Sequence, residues 1–200
     1  MKRLIDVVVA ALGVVALVPL IAVVALAIVL DSPGPAFFRQ DRVGLNGQRF
    51  RLWKFRTMRS RAARTGPPLT QREDPRITRV GRVLRRWKLD ELPQLFNVLL
   101  GDMSLVGPRP ELPQLVAFYS EQERQVLSIR PGITGPSQLL FRDEEEQVPP
   151  GVDIFRYHVE HILPAKLQSD LAYVARQSVW YDCLILFRTL SLFLRRTQAG

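Results

Sequence analysis

The sequence predicts an α+β protein that is mainly helical: a membrane-inserted helix at the N-terminus, a β-hairpin, and a run of further helices. Three observations predict this. Residues 7–30 form 24 positions without a charged side chain, more than an ordinary core element needs. Two segments of alternating apolar character flank Asn46-Gly47, a strong short-range signal for a tight hairpin. From Ile77 onward most segments carry apolar residues at helical spacing.

Composition narrows the partners. The 200 residues suffice for one cored domain plus an anchor, and no repeat or low-complexity tract announces a second. Net charge is +9 with a pI near 10.5, carried by four lysines and 24 arginines. A planar guanidinium pairs bidentately with phosphate, so this excess suits nucleotides, lipid phosphates and nucleic acid alike. The one cysteine, Cys183, cannot close an internal disulfide. In its apolar stretch it reads as a buried small hydrophobe, and a reducing compartment follows.

In chain order, the apolar run would form a helix about 36 Å long, against a hydrocarbon core of roughly 30 Å. Ala25-Leu26-Ala27 imitates a signal-peptidase site, but the run exceeds the roughly 7–15 apolar residues of a signal peptide, so it is expected to stay in the mature chain. Pro19 removes the hydrogen bond to the Val15 carbonyl and permits a sharp kink. Lys2 and Arg3 precede the run, and Arg39, Arg42, Arg49 and Arg51 follow it. The positive-inside tendency would therefore put both ends in the cytoplasm. A span and a re-entrant hairpin both remain open on these residues.

Residues 36–43 and 48–58 read as two strands. Alternation places Phe50, Leu52, Lys54, Arg56 and Met58 on one face of the second, a pattern that an edge strand with snorkelling basic heads also explains. A short helix over 59–64 and a loop at Gly66-Pro67-Pro68 are expected next. Ile77, Val80, Leu84 and Trp87 predict a helix over 77–87, with Arg85 near its end. A short apolar run beyond Pro93, closed by Gly101, predicts another helix that starts at Asp90 and Glu91. After Pro110 a further helical run is expected, and Ser120 with Glu123 makes a capping box opening a helix to about Ile129. Arg130-Pro131-Gly132 ends it, and residues 133–141 are partly strand-like. The four acids at 143–146 read as a solvated loop, and His158 with His161 lacks partners of metal-ligand geometry. Residues 179–196 carry Trp180, Leu184, Phe187, Leu190 and Leu194, interrupted by Asp182 and Arg188, as in an interfacial or packing helix rather than a span.

Asp90 and Glu91 follow Arg85, Arg86 and Lys88. At a helix start the dipole favours ionised carboxylates and bound phosphate alike. A carboxylate held ionised there can attack phosphorus; Asp is equally a preferred helix cap.

The wider pattern separates these readings. Leu89-Asp90-Glu91-Leu92-Pro93-Gln94 and Gly101-Asp102-Met103-Ser104-Leu105-Val106-Gly107-Pro108-Arg109-Pro110 resemble the signature of the bacterial sugar transferase family. Further matches are Lys54-Phe55-Arg56-Thr57-Met58, Asp74-Pro75-Arg76-Ile77-Thr78 and Arg130-Pro131-Gly132-Ile133-Thr134-Gly135. Members are monotopic phosphoglycosyl transferases that begin glycan or exopolysaccharide assembly on polyprenyl phosphate. The resemblance implies transfer of a sugar-1-phosphate from a UDP-sugar to polyprenyl phosphate, with UMP leaving. It implies Asp90 as nucleophile and Mg²⁺ ligand, Glu91 as its helper, and Lys54 as an active-site cation. Arg85 would hold phosphate, and Pro108, Arg109 and Pro110 the nucleotide. It also implies a helix broken at Pro19 that enters and leaves by the cytoplasmic leaflet of the bacterial inner membrane, with both termini cytoplasmic. Residues 1–31 would then be the membrane-inserted part and 32–200 a catalytic domain in contact with membrane lipids. Val18 stands where many members place a serine before the kink proline. Whether the chain forms a homodimer is left open. A membrane-tethered basic scaffold or nucleic-acid-binding protein without catalysis would share the arginine excess. No nucleic-acid motif is present, however, and neither alternative explains Asp90-Glu91 or Pro108-Arg109-Pro110.

Overall fold

A computed structural model describes residues 1–59, 69, 74–142, 147–149 and 151–198. The helix expected over 59–64, past Arg59, the loop at 66–68 and the acidic run at 143–146 lie outside the described residues.

Helix α1 (Lys2–Asp31) is continuous, with Pro19 inside it. Asp6, Ala10, Val24 and Ile28 are buried against the rest of the protein, while Leu4, Leu12, Val15, Val23, Leu26 and Leu30 are exposed. The helix therefore rests on the domain along one stripe and leaves an apolar face outward. Its two halves feed separate cores. Ala10 packs in a cluster with Leu52, Val98, Met103 and Tyr173, whereas Val24 and Ile28 pack with Phe55 and Leu84. At the C-terminal end Arg56 donates to the carbonyls of Pro33 and Ser32 at 2.5 and 2.6 Å. A further bond at 3.3 Å goes to the Ile28 carbonyl, which also accepts from the Ser32 amide, so Arg56 ties the last turn of α1 to the residues that leave it. Arg56 thus secures α1, although alternation groups it with Lys54.

Strands β1 (Phe37–Val43) and β2 (Arg49–Phe55) pair antiparallel, with Phe37 opposite Phe55 and Gln40 opposite Leu52. Their connection uses Asn46 and Gly47, both at positive φ, as the hairpin signal requires. Helix α2 (Arg79–Arg86) starts at Thr78, whose side chain accepts from the Gly81 amide. Gly81 sits so close to β2's exit that an added Cβ would fall 2.1 Å from the Thr57 carbonyl oxygen.

A 3₁₀ turn, Leu89–Glu91, precedes helix α3 (Gln94–Leu100). This corrects the expectation that Asp90 and Glu91 begin that helix: Pro93 is the residue before its first turn, and both carboxylates lie upstream. Strand β3 (Ser104–Val106) pairs parallel with β4 (Gly132–Thr134), an element foreshadowed only by the strand-like residues after Gly132. Helices α4 (Pro113–Val116) and α5 (Pro136–Leu140) are single turns. The Ser120–Glu123 capping box forms, with Glu123 accepting from the Ser120 amide at 2.8 Å, but it opens a 3₁₀ segment rather than an α-helix. Helix α6 (Ile154–Tyr157) runs through a π turn into α7 (Leu163–Arg176), and α8 (Val179–Gln198) follows. On α8 the inward face carries Asp182 and Ile185, and Trp180 and Phe187 point out. Cys183 is exposed rather than buried, since it falls on the outward side of that helix.

Candidate active site

Lys54 leaves the end of β2 and meets Glu91, which the 3₁₀ turn brings up beneath it. Lys54 Nζ donates to Glu91 Oε1 at 3.1 Å, and Arg109 Nη2 donates to the same oxygen at 3.3 Å. The register of these elements is fixed by Asn97 on α3. This fully buried amide accepts from the Trp53 backbone N–H at 2.9 Å and donates to the Arg51 carbonyl at 2.8 Å and to Asp102 at 3.1 Å. A helix side chain thereby completes the hydrogen bonding of β2 one residue from Lys54. The corner before Asp90 is held at Lys88, a non-glycine residue at φ 53°, whose ammonium donates to the Arg142 carbonyl at 3.2 Å.

Asp90 is 8 % exposed, and its Oδ1 has no hydrogen-bond partner among the described residues. Burial pushes its carboxyl above the usual range, Lys54 pulls it back, and the Glu91 charge adds to the rise. Glu91 goes the other way: burial would raise it, but Lys54, Arg109 and Lys88 outweigh that and hold it well below the ordinary carboxylate range. Burial also lowers the Lys54 ammonium, against the attraction of Glu91. The adjacent carboxylates are thus separated by environment into a clamped anion and an unpartnered one, a division common among catalytic pairs.

Of the residues singled out in the sequence, Lys54, Glu91 and Arg109 are in direct contact, with Asp90 beside them. Arg85 Nε donates to Thr57 Oγ1 at 3.0 Å, and its charge favours the ionised form of Asp90. The flanking prolines serve the loop rather than project from it. The Pro108 carbonyl accepts from the Gly132 amide at 2.8 Å and the Pro110 carbonyl from Arg42 at 3.1 Å, leaving Arg109 directed at Glu91.

Behind this loop lies a group that sequence reasoning missed. Glu111, Arg42 and Lys166 are all buried. Lys166 Nζ donates to Glu111 Oε1 at 2.6 Å, and Arg42 Nη1 lies 3.5 Å from Oε2. Burial would raise Glu111, yet Lys166, Arg42 and Arg109 take it down to about 2, so it is ionised at any working pH. Nearby, burial raises Asp170 to about 7 despite its bond from Ser137 at 2.9 Å. The available signal was Glu111 adjoining Pro108-Arg109-Pro110. Its partners are 69 and 55 residues away, beyond any local pattern.

Such an arrangement, cations gathered around one clamped and one unpartnered carboxylate on a frame that carries a long apolar helix, is suited to phosphorylated substrates at a membrane. The chain belongs to the bacterial sugar transferase family, which it matches over residues 1–196. It is similar to the UDP-glucose:undecaprenyl-phosphate glucose-1-phosphate transferase of Caulobacter vibrioides, with 42% identity covering 99% of this chain and 71% of that protein. The UDP-N-acetylgalactosamine-undecaprenyl-phosphate N-acetylgalactosaminephosphotransferase of Aeromonas hydrophila is 38% identical over 96% of this chain and 43% of its own length. The exopolysaccharide production protein PSS of Rhizobium leguminosarum bv. phaseoli is 38% identical over 98% of this chain and 96% of its own.

Proposed function

We propose that this protein transfers a sugar-1-phosphate from a UDP-sugar to a polyprenyl phosphate at the cytoplasmic face of the bacterial inner membrane. The carrying observation is that one Glu91 oxygen occupies both Lys54 and Arg109 beside a buried Asp90 oxygen with no hydrogen-bond partner among the described residues. In the free protein Glu91 stands where a substrate phosphate would, neutralising cations that a diphosphate then takes over.

In the first step a carboxylate oxygen of Asp90 bonds to the β-phosphorus. The bond from that phosphorus to the bridging oxygen breaks, and the electron pair leaves with UMP. An oxygen of the polyprenyl phosphate then attacks the same phosphorus, which frees Asp90 as a carboxylate and leaves the lipid carrying a diphosphosugar. As Lys54 and Arg109 turn to phosphate, Glu91 regains basicity and accepts a proton from the acceptor. Arg85 supports the ionised Asp90, and Arg109 holds the leaving nucleotide.

A Mg²⁺ ion fits this donor set, because it ordinarily takes one or two carboxylates and fills its shell with phosphate oxygens and water. Among the described residues no three His, Cys, Asp or Glu gather into a cage, and Asp90, whose Oδ1 accepts no hydrogen bond from them, is the carboxylate we assign to the ion. Bound there, the ion would neutralise diphosphate charge.

The membrane reading rests on α1, the one described helix long and apolar enough to cross a bilayer. Twelve of its Val, Leu and Ile side chains are exposed. At about 1.5–3 kcal/mol for a fully exposed side chain, and with these 38–78 % exposed, hydrating them would cost roughly 10–20 kcal/mol, as much as the ~5–15 kcal/mol that stabilises a whole domain. Contacts at both ends of α1 with the same domain favour a helix that enters and leaves one leaflet, bending at Pro19, over a span.

Incubation with UDP-sugar alone, followed by an acid quench and digestion, should give an Asp90-containing peptide heavier by one sugar-phosphate. Asp90→Asn should abolish adduct and turnover together; substantial turnover in that variant would end the covalent reading.

A further inference from the structure

Lys2, Arg3 and Asp6 occupy the first turns of an apolar helix, where basic heads ordinarily reach for lipid phosphate. Here they turn toward the domain. Asp6 is 4 % exposed and accepts from Ser104 Oγ at 2.8 Å and from the Leu105 amide at 3.2 Å. Lys2 Nζ donates to the Val106 carbonyl at 3.1 Å and pairs with Asp182 at 2.5 Å. Arg3 spans two segments, donating to the Val98 carbonyl at 2.6 Å and to the Met103 carbonyl at 3.1 Å.

These contacts complete β3. One edge of that strand pairs with β4. The groups facing away, the Leu105 N–H and the Val106 carbonyl, meet Asp6 and Lys2 of α1 instead of a third strand, with the Tyr173 hydroxyl also donating to that carbonyl at 3.3 Å. Arg109 follows three positions after Val106. The intervening Gly107 leaves little slack, since a Cβ there would lie 2.5 Å from the Arg130 carbonyl oxygen. Arg3 also caps the end of α3, whose opposite end follows Asp90 and Glu91.

The geometry points to Lys2, Arg3 and Asp6 as positioning residues: the first turn of the membrane helix sets the strand that delivers Arg109, so seating of that helix and affinity for the donor nucleotide are coupled. This rests on Arg109 as the nucleotide residue in the function proposed above. A purely structural clasp would change both substrates' constants alike. A purely topogenic role would be satisfied by any positive charge at positions 2 and 3.

The test uses the full chain in detergent, with Asp6→Ala, Arg3→Lys, Lys2→Asp, and Lys2→Asp combined with Asp182→Lys. Arg3→Lys keeps the charge that membrane topology uses but loses the planar fork that reaches two carbonyls. Asp6→Ala and Arg3→Lys should each raise KM for the UDP-sugar about tenfold or more, as small misplacements of binding groups do. KM for polyprenyl phosphate should stay within about twofold, and flotation with liposomes should be unchanged. Lys2→Asp should show the same donor defect, and the exchange with Asp182 should recover part of it by restoring the ion pair, though not the donation from position 2 to the Val106 carbonyl. Equal changes in both constants, an unchanged donor KM in Arg3→Lys, or no recovery in the exchanged pair would each overturn the coupling. If Asp6→Ala fails to fold, Arg3→Lys and the exchanged pair decide. If the unsubstituted protein turns over no UDP-sugar, the proposed function fails, and calorimetric UMP binding to the unsubstituted and Arg3→Lys chains still reads the coupling by itself.

Discussion

Asp90 carries a cost that the proposed role as nucleophile accounts for. Its carboxyl is pushed up by burial, so the folded protein binds that proton more tightly than the unfolded chain does. The sign follows: the residue is harmless below its unfolded pKa of roughly 3.9, and destabilises increasingly as pH rises through its higher folded value. Asp90→Asn should therefore raise Tm by a few degrees at neutral pH, about 2–4 °C per kcal/mol for a chain of this size, with little gain near pH 4. Thermal unfolding of both proteins across that range checks it, and a variant less stable at neutral pH would contradict it. Glu111 is the opposite case, a buried anion that its partners require. Glu111→Gln removes the anion that Lys166 and Arg42 share and should cost about 3–5 kcal/mol, whereas adding Lys166→Met should recover much of it. Denaturant midpoints of the single and double variants measure the difference. The two groups were unequally legible. Asp90, Glu91 and Arg109 sit in long ordered motifs. Arg42, Glu111 and Lys166 look like solvated charges until the fold brings them together.

At the scale of elements, periodicity located what is long and missed what is short. The hairpin was legible because Asn46-Gly47 fixes a turn by backbone conformation alone, and α1 because its apolar run is unbroken. The parallel pairing of β3 with β4 was not, since three-residue strands carry no period and their pairing depends on partners 28 positions apart in the chain. The helix expected to begin at Asp90 begins after Pro93 instead, because the reversal at Lys88 first requires a tighter turn. Asn97 shows what holds these short pieces in register. Asn97→Ala would take from the Trp53 N–H and the Arg51 carbonyl their partner on the half-buried side of β2, at about 1 kcal/mol each. We expect a lower melting temperature and a kcat reduced more than about tenfold as Lys54 drifts from Glu91. A kcat at the unsubstituted level in the folded variant would show that β2 keeps its place without that amide.

For the whole molecule the question is on which side of the bilayer its parts lie. Lys2 reaches Val106 and Asp182 at one end of α1, and Arg56 holds Ile28 and Ser32 at the other. A chain built this way should expose positions 2 and 45 to the same compartment. Single cysteines placed at each, after Cys183→Ser removes the exposed native thiol, should both resist an impermeant reagent applied to intact spheroplasts and react once the membrane is opened. Labelling of position 2 from outside would establish a span.

The interlocking of α1 with two separate cores bears on how this unit can be inherited. Cutting at residue 31 would bare Phe55 and Leu84 on one side and Leu52 and Val98 on the other, so neither piece is a free-standing part. Selection can then fuse the unit to other sequences only with its helix attached.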